Sequence, residues 1–276
     1  MRPVFANSAW ITVRERLILG GGDRKTIRLH VRYGLVIHPR LGPVLIDTGY
    51  TPHALAGLCR GLMLRLYGKV LRPRLNTAEQ PEQLLAHFGL TPWHVRTVVI
   101  THFHADHISG LKLFPNARFI ASDSAWARLA RQTRWQNLRH GVFTELLPDD
   151  FADRLVGLSG LTHVNGCCGL PGGADLLGDG SMIAVDLPGH MDGHFGVLFP
   201  TVSPPLFYAV DAQWLLLAAM QNRTPGAPAS FIANDRRAVE ASNGLLRSFV
   251  ASGGEVVLCH DPGATRYDFA DGEKVV

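Results

Sequence analysis

A chain of 276 residues, 46% hydrophobic and 18% charged, has the composition of a globular protein able to bury a sizeable core, which excludes a disordered or fibrous one. A net charge of +4 and a pI near 9.0 favour anionic partners mildly but fall well short of a dedicated nucleic-acid binder. No apolar run reaches the ~18 residues of a spanning helix, the N-terminus lacks the pattern of a signal peptide, and four cysteines, Cys167 and Cys168 adjacent among them, do not form a disulfide framework, so a reducing cytoplasm is the predicted location.

In chain order, Ile11–Val31 and Arg32–Ile37 alternate polar and apolar residues around the turn material Gly20-Gly21-Gly22-Asp23, and predict antiparallel strands. Pro43–Ile46 is a further strand that ends in Asp47-Thr48-Gly49. Pro52–Val70 predicts a helix, with Leu55, Leu58, Leu62 and Leu66 at helical spacing and Arg65, Lys69 and Arg72 on another face. Packing on its own domain is the ordinary role for such a helix; a membrane surface, an acyl-chain pocket or a homodimer contact are the others its pattern allows. A second helix, Pro81–Phe88, can be capped by Gln80 or Thr77 and stopped by Gly89.

Next comes Arg96–Gly110, RTVVITHFHADHISG. Thr97–Ile100 reads as a short buried strand, followed at once by His102, His104, Asp106 and His107. If the backbone stays extended, residues two apart share a face, so His102, His104 and Asp106 point together. His107 then falls where Ile108–Leu113 can begin a helix. A lone histidine after a strand is commonly a surface residue. Three with a carboxylate inside six residues predict a transition-metal site, zinc being the default for nitrogen and oxygen ligands. The stretch Thr101–His107, THFHADH, resembles the HxHxDH signature of the metallo-β-lactamase superfamily.

Beyond the motif, Arg118–Ala121 predicts a strand and Ser122–Gln132 a helix. From about residue 126 to 174 the pattern loosens toward Gly166–Gly173, predicting an irregular insertion that covers a pocket. Cys167 and Cys168 read as a loop or buried thiol pair. Ser181–Val185, Phe195–Phe199 and Leu206–Val210 are strands, the first followed by Leu187-Pro188-Gly189-His190 and the last by Asp211. Asn234 caps a helix running to about Val250, Gly253-Gly254 stops it, and strand Val256–Cys259 delivers His260. Six metal-binding candidates therefore lie just past strand ends, with His190 in a loop after one, and loops at one rim of a sheet are where rigid scaffolds hold chemistry.

The resemblance implies a fold and a ligand set. The fold would be α/β, an αββα sandwich of two mixed β-sheets with outer helices, spanning 1–276 as a single domain. His102, His104 and His190 would hold one ion, Asp106, His107 and His260 a second, with Asp211 bridging. Asp47 would brace the histidine loop, as the similar Asp-Thr-Gly turn of the superfamily does. His194, in PGHMDGH, matches a loop histidine that is usually not a ligand; His140 and His163 lie in the 126–174 stretch, where a substrate contact is open to them, and the remaining histidines are read as surface residues. Two divalent ions, zinc first with manganese, iron or cobalt as alternatives, would share a hydroxide that attacks a carbonyl, with Asp106 passing the proton to the leaving group. The long segment before the motif resembles the N-acyl homoserine lactonase-like branch, which implies a small lactone or ester as substrate. One position departs from that branch: a Tyr three residues after the bridging Asp is Trp214 here, and an indole donates a hydrogen bond but cannot serve as an acid. A thiol or persulfide dioxygenase with one iron, and a phosphodiesterase of the same fold, are the alternatives.

Overall fold

The computed structural model describes residues 1–55, 60–223 and 235–270. Its chain divides into two compact units, one made of Met1–Thr12, His30–Val156 and Ala264–Val276, the other of Val13–Leu29 and Gly157–Gly263.

The first unit holds nearly all of a seven-stranded sheet of β1 (Val4–Arg14), β2 (Thr26–His38), β3 (Gly42–Ile46), β4 (Arg74–Leu75), β5 (Thr97–Val99), β6 (Arg118–Ala121) and β7 (Leu155–Gly157). The strand order is β4-β1-β2-β3-β5-β6-β7. β2 pairs antiparallel with β3, whereas β3, β5 and β6 run parallel, so the sheet is mixed. Val44–Ile46 and Val98–Ile100 are fully buried, as near-continuous apolar runs must be when a parallel strand is covered on both faces.

Helices depart from the sequence pattern in instructive ways. The predicted helix over 52–70 appears as two, Pro52–Leu55 and Leu62–Leu71, while Leu58 lies outside the described residues. Helix Pro81–His87 starts with Pro at its first turn and is followed by Gly89 at φ 69°, but Gln80 does not cap it with its side chain. The Gln80 amide donates instead to the Ser8 and Asn76 carbonyls, at 2.8 and 3.0 Å.

The stretch predicted as irregular from 126 contains helices Asp123–Arg131, Arg134–Arg139 and Phe151–Arg154. Thr133 and Gln136 form a reciprocal capping box at the start of the second of these. Phe151 stacks on Phe119 of β6 with ring centroids 5.2 Å apart, and Trp126 packs on Phe151 at 4.8 Å, so this part of the stretch is core. Residues up to Val156 belong to the first unit and those from Gly157 to the second.

The second unit contains a six-stranded sheet of β8 (His163–Val164), β9 (Gly173–Asp175), β10 (Ile183–Asp186), β11 (Phe195–Phe199), β12 (Leu206–Val210) and β13 (Glu255–Leu258), in the order β13-β12-β11-β10-β9-β8. Only β12 and β13 are parallel. Helix Arg236–Ala251 buries Leu246 and Phe249 against Ile183, Val185, Leu198 and Phe207. Its cap is Asp235, whose Oδ1 accepts from Arg237 N and Ala238 N, one residue later than predicted; Asn234 lies outside the described residues. Among the described residues no helix is long and apolar enough to cross a membrane.

Candidate metal centre

In the first unit the parallel pairing of β3 and β5 sets Ile46 opposite Val99, so Asp47 and Thr101 leave the sheet at one rim. Asp47 adopts φ 60°, a left-handed conformation that aspartate tolerates better than most residues. From there Oδ1 accepts from Thr101 N at 2.9 Å, and Oδ2 accepts from Thr101 Oγ1 at 2.8 Å and meets His107 Nδ1 at 2.8 Å. Burial pushes the Asp47 carboxyl above its ordinary pKa, and the same His107 and Thr101 contacts restrain that rise. A proton on His107 Nδ1, donated to Asp47, leaves Nε2 with the lone pair a metal needs. Asp47→Asn is therefore expected to weaken metal binding about 10- to 100-fold, measured by competition with a chromogenic chelator, because an amide cannot accept from all three donors.

The backbone turns helical sooner than the alternation implies. His104, at φ −67° and ψ 154°, is the N-cap of helix Ala105–Ile108, so only His102 and His104 share the extended segment, and Asp106 lies in the first helical turn. Thr48 holds this turn in place, its N and Oγ1 each donating to the His107 carbonyl at 2.9 Å. His102 Nε2 and His104 Nδ1 are 3.0 Å apart, and His107 Nε2 is 3.6 Å from Asp106 Oδ2. Both separations suit neighbouring ligands of one ion, which lie about 3.3 Å apart when each is ~2.0–2.1 Å from a tetrahedral centre.

In the second unit β12 and β13 run parallel and bring Asp211 and His260 out side by side, with Cys259 N donating to the Val210 carbonyl at 2.9 Å. A bulge between Tyr208 and Val210 redirects the strand end, and Val210 is held at φ 52°. That conformation costs a β-branched residue about 1–3 kcal/mol and is retained where it aims a side chain. His190 Nε2 and His260 Nε2 lie 3.4 and 3.2 Å from the same atom, Asp211 Oδ2. Burial is the largest single influence on His260 and opposes a charged ring, yet the adjoining Asp211 carboxylate and the Cys259 thiol together outweigh it and hold the pKa well above the ordinary histidine value. Two buried imidazoles thus flank one oxygen of a buried carboxylate, and donors of these types suit divalent cations.

His194 plays another part. Its Nδ1 meets the Leu187 carbonyl at 2.8 Å and its Nε2 accepts from Asp211 N at 3.3 Å, so both ring nitrogens hold backbone. His38, read as a surface residue, is buried, and its Nδ1 accepts from Arg40 N and Leu41 N across a turn. Cys167 and Cys168 are free thiols packed against the apolar core of the second unit. Trp214 sets its ring edge-on to His260 at 6.4 Å.

Three residues around these sets were not apparent from sequence. Cys259, next to His260, offers a thiol within ligand distance of Asp211 and His260; its place beside a ligand was the available signal. Gly141 touches the His104 ring, since a Cβ there would stand 3.1 Å from Cδ2, and its φ of 70° favours glycine as well. Tyr50 follows the Asp-Thr-Gly turn and is fully buried, and its hydroxyl has no hydrogen-bond partner among the described residues.

Residues 30–197 match the Metallo-beta-lactamase superfamily. The chain is 27% identical over 260 residues to N-acyl homoserine lactonase AttM of Azorhizobium caulinodans, covering 88% of this chain and 86% of the relative. Among solved structures, a quorum-quenching N-acyl homoserine lactone lactonase superposes with a TM-score of 0.66 at 15% identity, covering 95% of this chain and 92% of the other. AidC, a dizinc quorum-quenching lactonase in complex with a product, superposes at 0.61 and 14% identity, covering 93% and 86%. At such identities the structures establish the fold, two mixed sheets with helices.

Proposed function

The chain belongs to the metallo-β-lactamase superfamily and is a metallo-hydrolase, and on that premise we propose that it opens a lactone or cleaves a small ester at a centre of two divalent ions, zinc first among them. His102, His104 and His190 would hold one ion and Asp106, His107 and His260 the other, with Asp211 between them. When bound, such ions supply an activated water as nucleophile near neutral pH and polarise the substrate carbonyl. The observation that carries this reading is the convergence of His190 and His260 on Asp211 Oδ2, a carboxylate oxygen positioned as a bridge would be. Asp47, 2.8 Å from His107 Nδ1, would fix the His107 tautomer, and Asp106 would carry the proton to the departing alkoxide.

A lactone or ester with an acyl tail is supported by a cavity of about 350 Å³ in the first unit, walled by Leu62, Met63, Trp135, Leu138, Val142 and Phe143. Its Val142 wall begins one residue past Gly141, which touches the His104 ring. The relatives named N-acyl homoserine lactonase point the same way. We read 1–276 as one domain of this family with 126–174 shaping its pocket, and a cytoplasmic location accords with the free thiols.

A panel of acyl lactones, aryl esters, thioesters and phosphodiesters, assayed with metal-loaded protein while oxygen is monitored, tests the reading. Lactone or ester turnover without oxygen uptake is the expected result. Turnover confined to phosphodiesters would defeat the acyl substrate, and oxygen consumption at one iron per chain would defeat hydrolysis.

A further inference from the structure

Between Arg60 and Arg74 the chain carries Arg60, Arg65, Lys69, Arg72 and Arg74 and no acidic residue. Helix Leu62–Leu71 occupies the middle of this segment. Its inner face is fixed to its own unit, since Leu64 is fully buried and Tyr67 packs on Phe143 with centroids 5.0 Å apart. Its outer face is unusual. Leu62, Leu66 and Val70 are 79%, 51% and 72% exposed, and spacing of four residues aligns them in one stripe. The exposed Arg65 and Lys69 run alongside. Trp135, 69% exposed, stands with Leu62 at the cavity described above. Glu145, beside the start of the helix, is held by Arg134 and by Gly61 N.

We propose that this face docks on an anionic lipid bilayer surface, the helix lying in the interface plane. An apolar stripe beside a row of cations matches such a surface on both counts: the leucines and valine enter the acyl boundary while the cations meet phosphate headgroups. A second copy of the chain fits less well. An isologous contact through this stripe would set Arg65 and Lys69 against the same residues of the partner, like charge facing like. Where the hydrolase reading above holds, the surface also sets the mouth of the acyl cavity toward lipid, from which an amphiphilic substrate could enter.

Co-sedimentation of the full metal-loaded chain with vesicles tests the docking without any activity measurement. Binding is expected to equimolar phosphatidylglycerol and phosphatidylcholine vesicles, to weaken as salt rises, and to be absent with phosphatidylcholine alone. Arg65→Gln with Lys69→Gln should lower the partition coefficient about 30-fold, the loss expected for two surface cations. Leu66→Ser with Val70→Ser should lower it as well, and all four side chains are exposed, so circular dichroism should stay unchanged. Failure to bind anionic vesicles, or equal binding to phosphatidylcholine alone, would overturn the proposal, and both are read on the parent protein whatever the variants do. So would a dimer in sedimentation velocity that Leu66→Ser with Val70→Ser dissociates, because the stripe would then belong to a second copy.

Discussion

Asp211→Asn is expected to reduce bound metal from about two equivalents to one or fewer, and to lower kcat/KM by about 10²–10³-fold at saturating metal. The substitution keeps the shape of the side chain and removes its charge. Oδ2 now faces His190 Nε2 at 3.4 Å and His260 Nε2 at 3.2 Å, and in the proposed centre its charge offsets the repulsion between two cations. An amide in its place supplies a neutral oxygen at best. Elemental analysis beside steady-state kinetics gives both readouts, and His194→Ala is the control. His194 supports the Asp211 backbone and the Leu187 carbonyl, so its loss should keep the metal content and lower stability by about 1–3 kcal/mol in a denaturant titration. If His194→Ala loses metal as severely as Asp211→Asn, the proposed ligand assignment is wrong.

Stripping the metal should have the larger effect. Dialysis against a strong chelator is expected to abolish turnover, a loss beyond about 10³-fold, because water left without an ion is far less acidic than metal-bound water, whose pKa is about 7. Zinc, manganese or cobalt added back should restore activity to different levels, since nitrogen and carboxylate donors accept all three. His104→Ala should reproduce the stripped state and resist rescue. His104 Nδ1 stands 3.0 Å from His102 Nε2, and an alanine leaves that ion short of one nitrogen. Rescue of His104→Ala to parental rate by excess metal would remove His104 from the ligand set.

The metal-binding character of this chain was legible from sequence because it is carried by residue types at short range. Three imidazoles and a carboxylate within THFHADH have few other uses. The bracing role of Asp47 was legible as well, through the resemblance of its Asp-Thr-Gly turn, and the parallel pairing of β3 with β5 explains it physically. Local pattern also located most strands, since short β-branched and apolar runs bury themselves wherever the sheet places them.

What the pattern could not reach was decided by contacts between residues far apart in the chain. Alternation assigned Asp106 to the face of His102 and His104, but the helix begins at Ala105, in a turn held by Thr48 some sixty residues earlier. Gln80 is a plausible cap until the Ser8 carbonyl claims its amide. The stretch after Trp126 looks loose in isolation and becomes core when Phe119 meets Phe151. His38 and His194 carry the same imidazole as the candidate ligands. They brace backbone because a turn amide and the Asp211 amide reach their nitrogens first, and only the folded chain determines which polar group arrives there. A pocket built from the helix over 52–70 and the stretch 126–174 was legible in outline, but which side chains wall it, Leu62 and Met63 with Trp135–Phe143 more than seventy residues on, was decided only by packing.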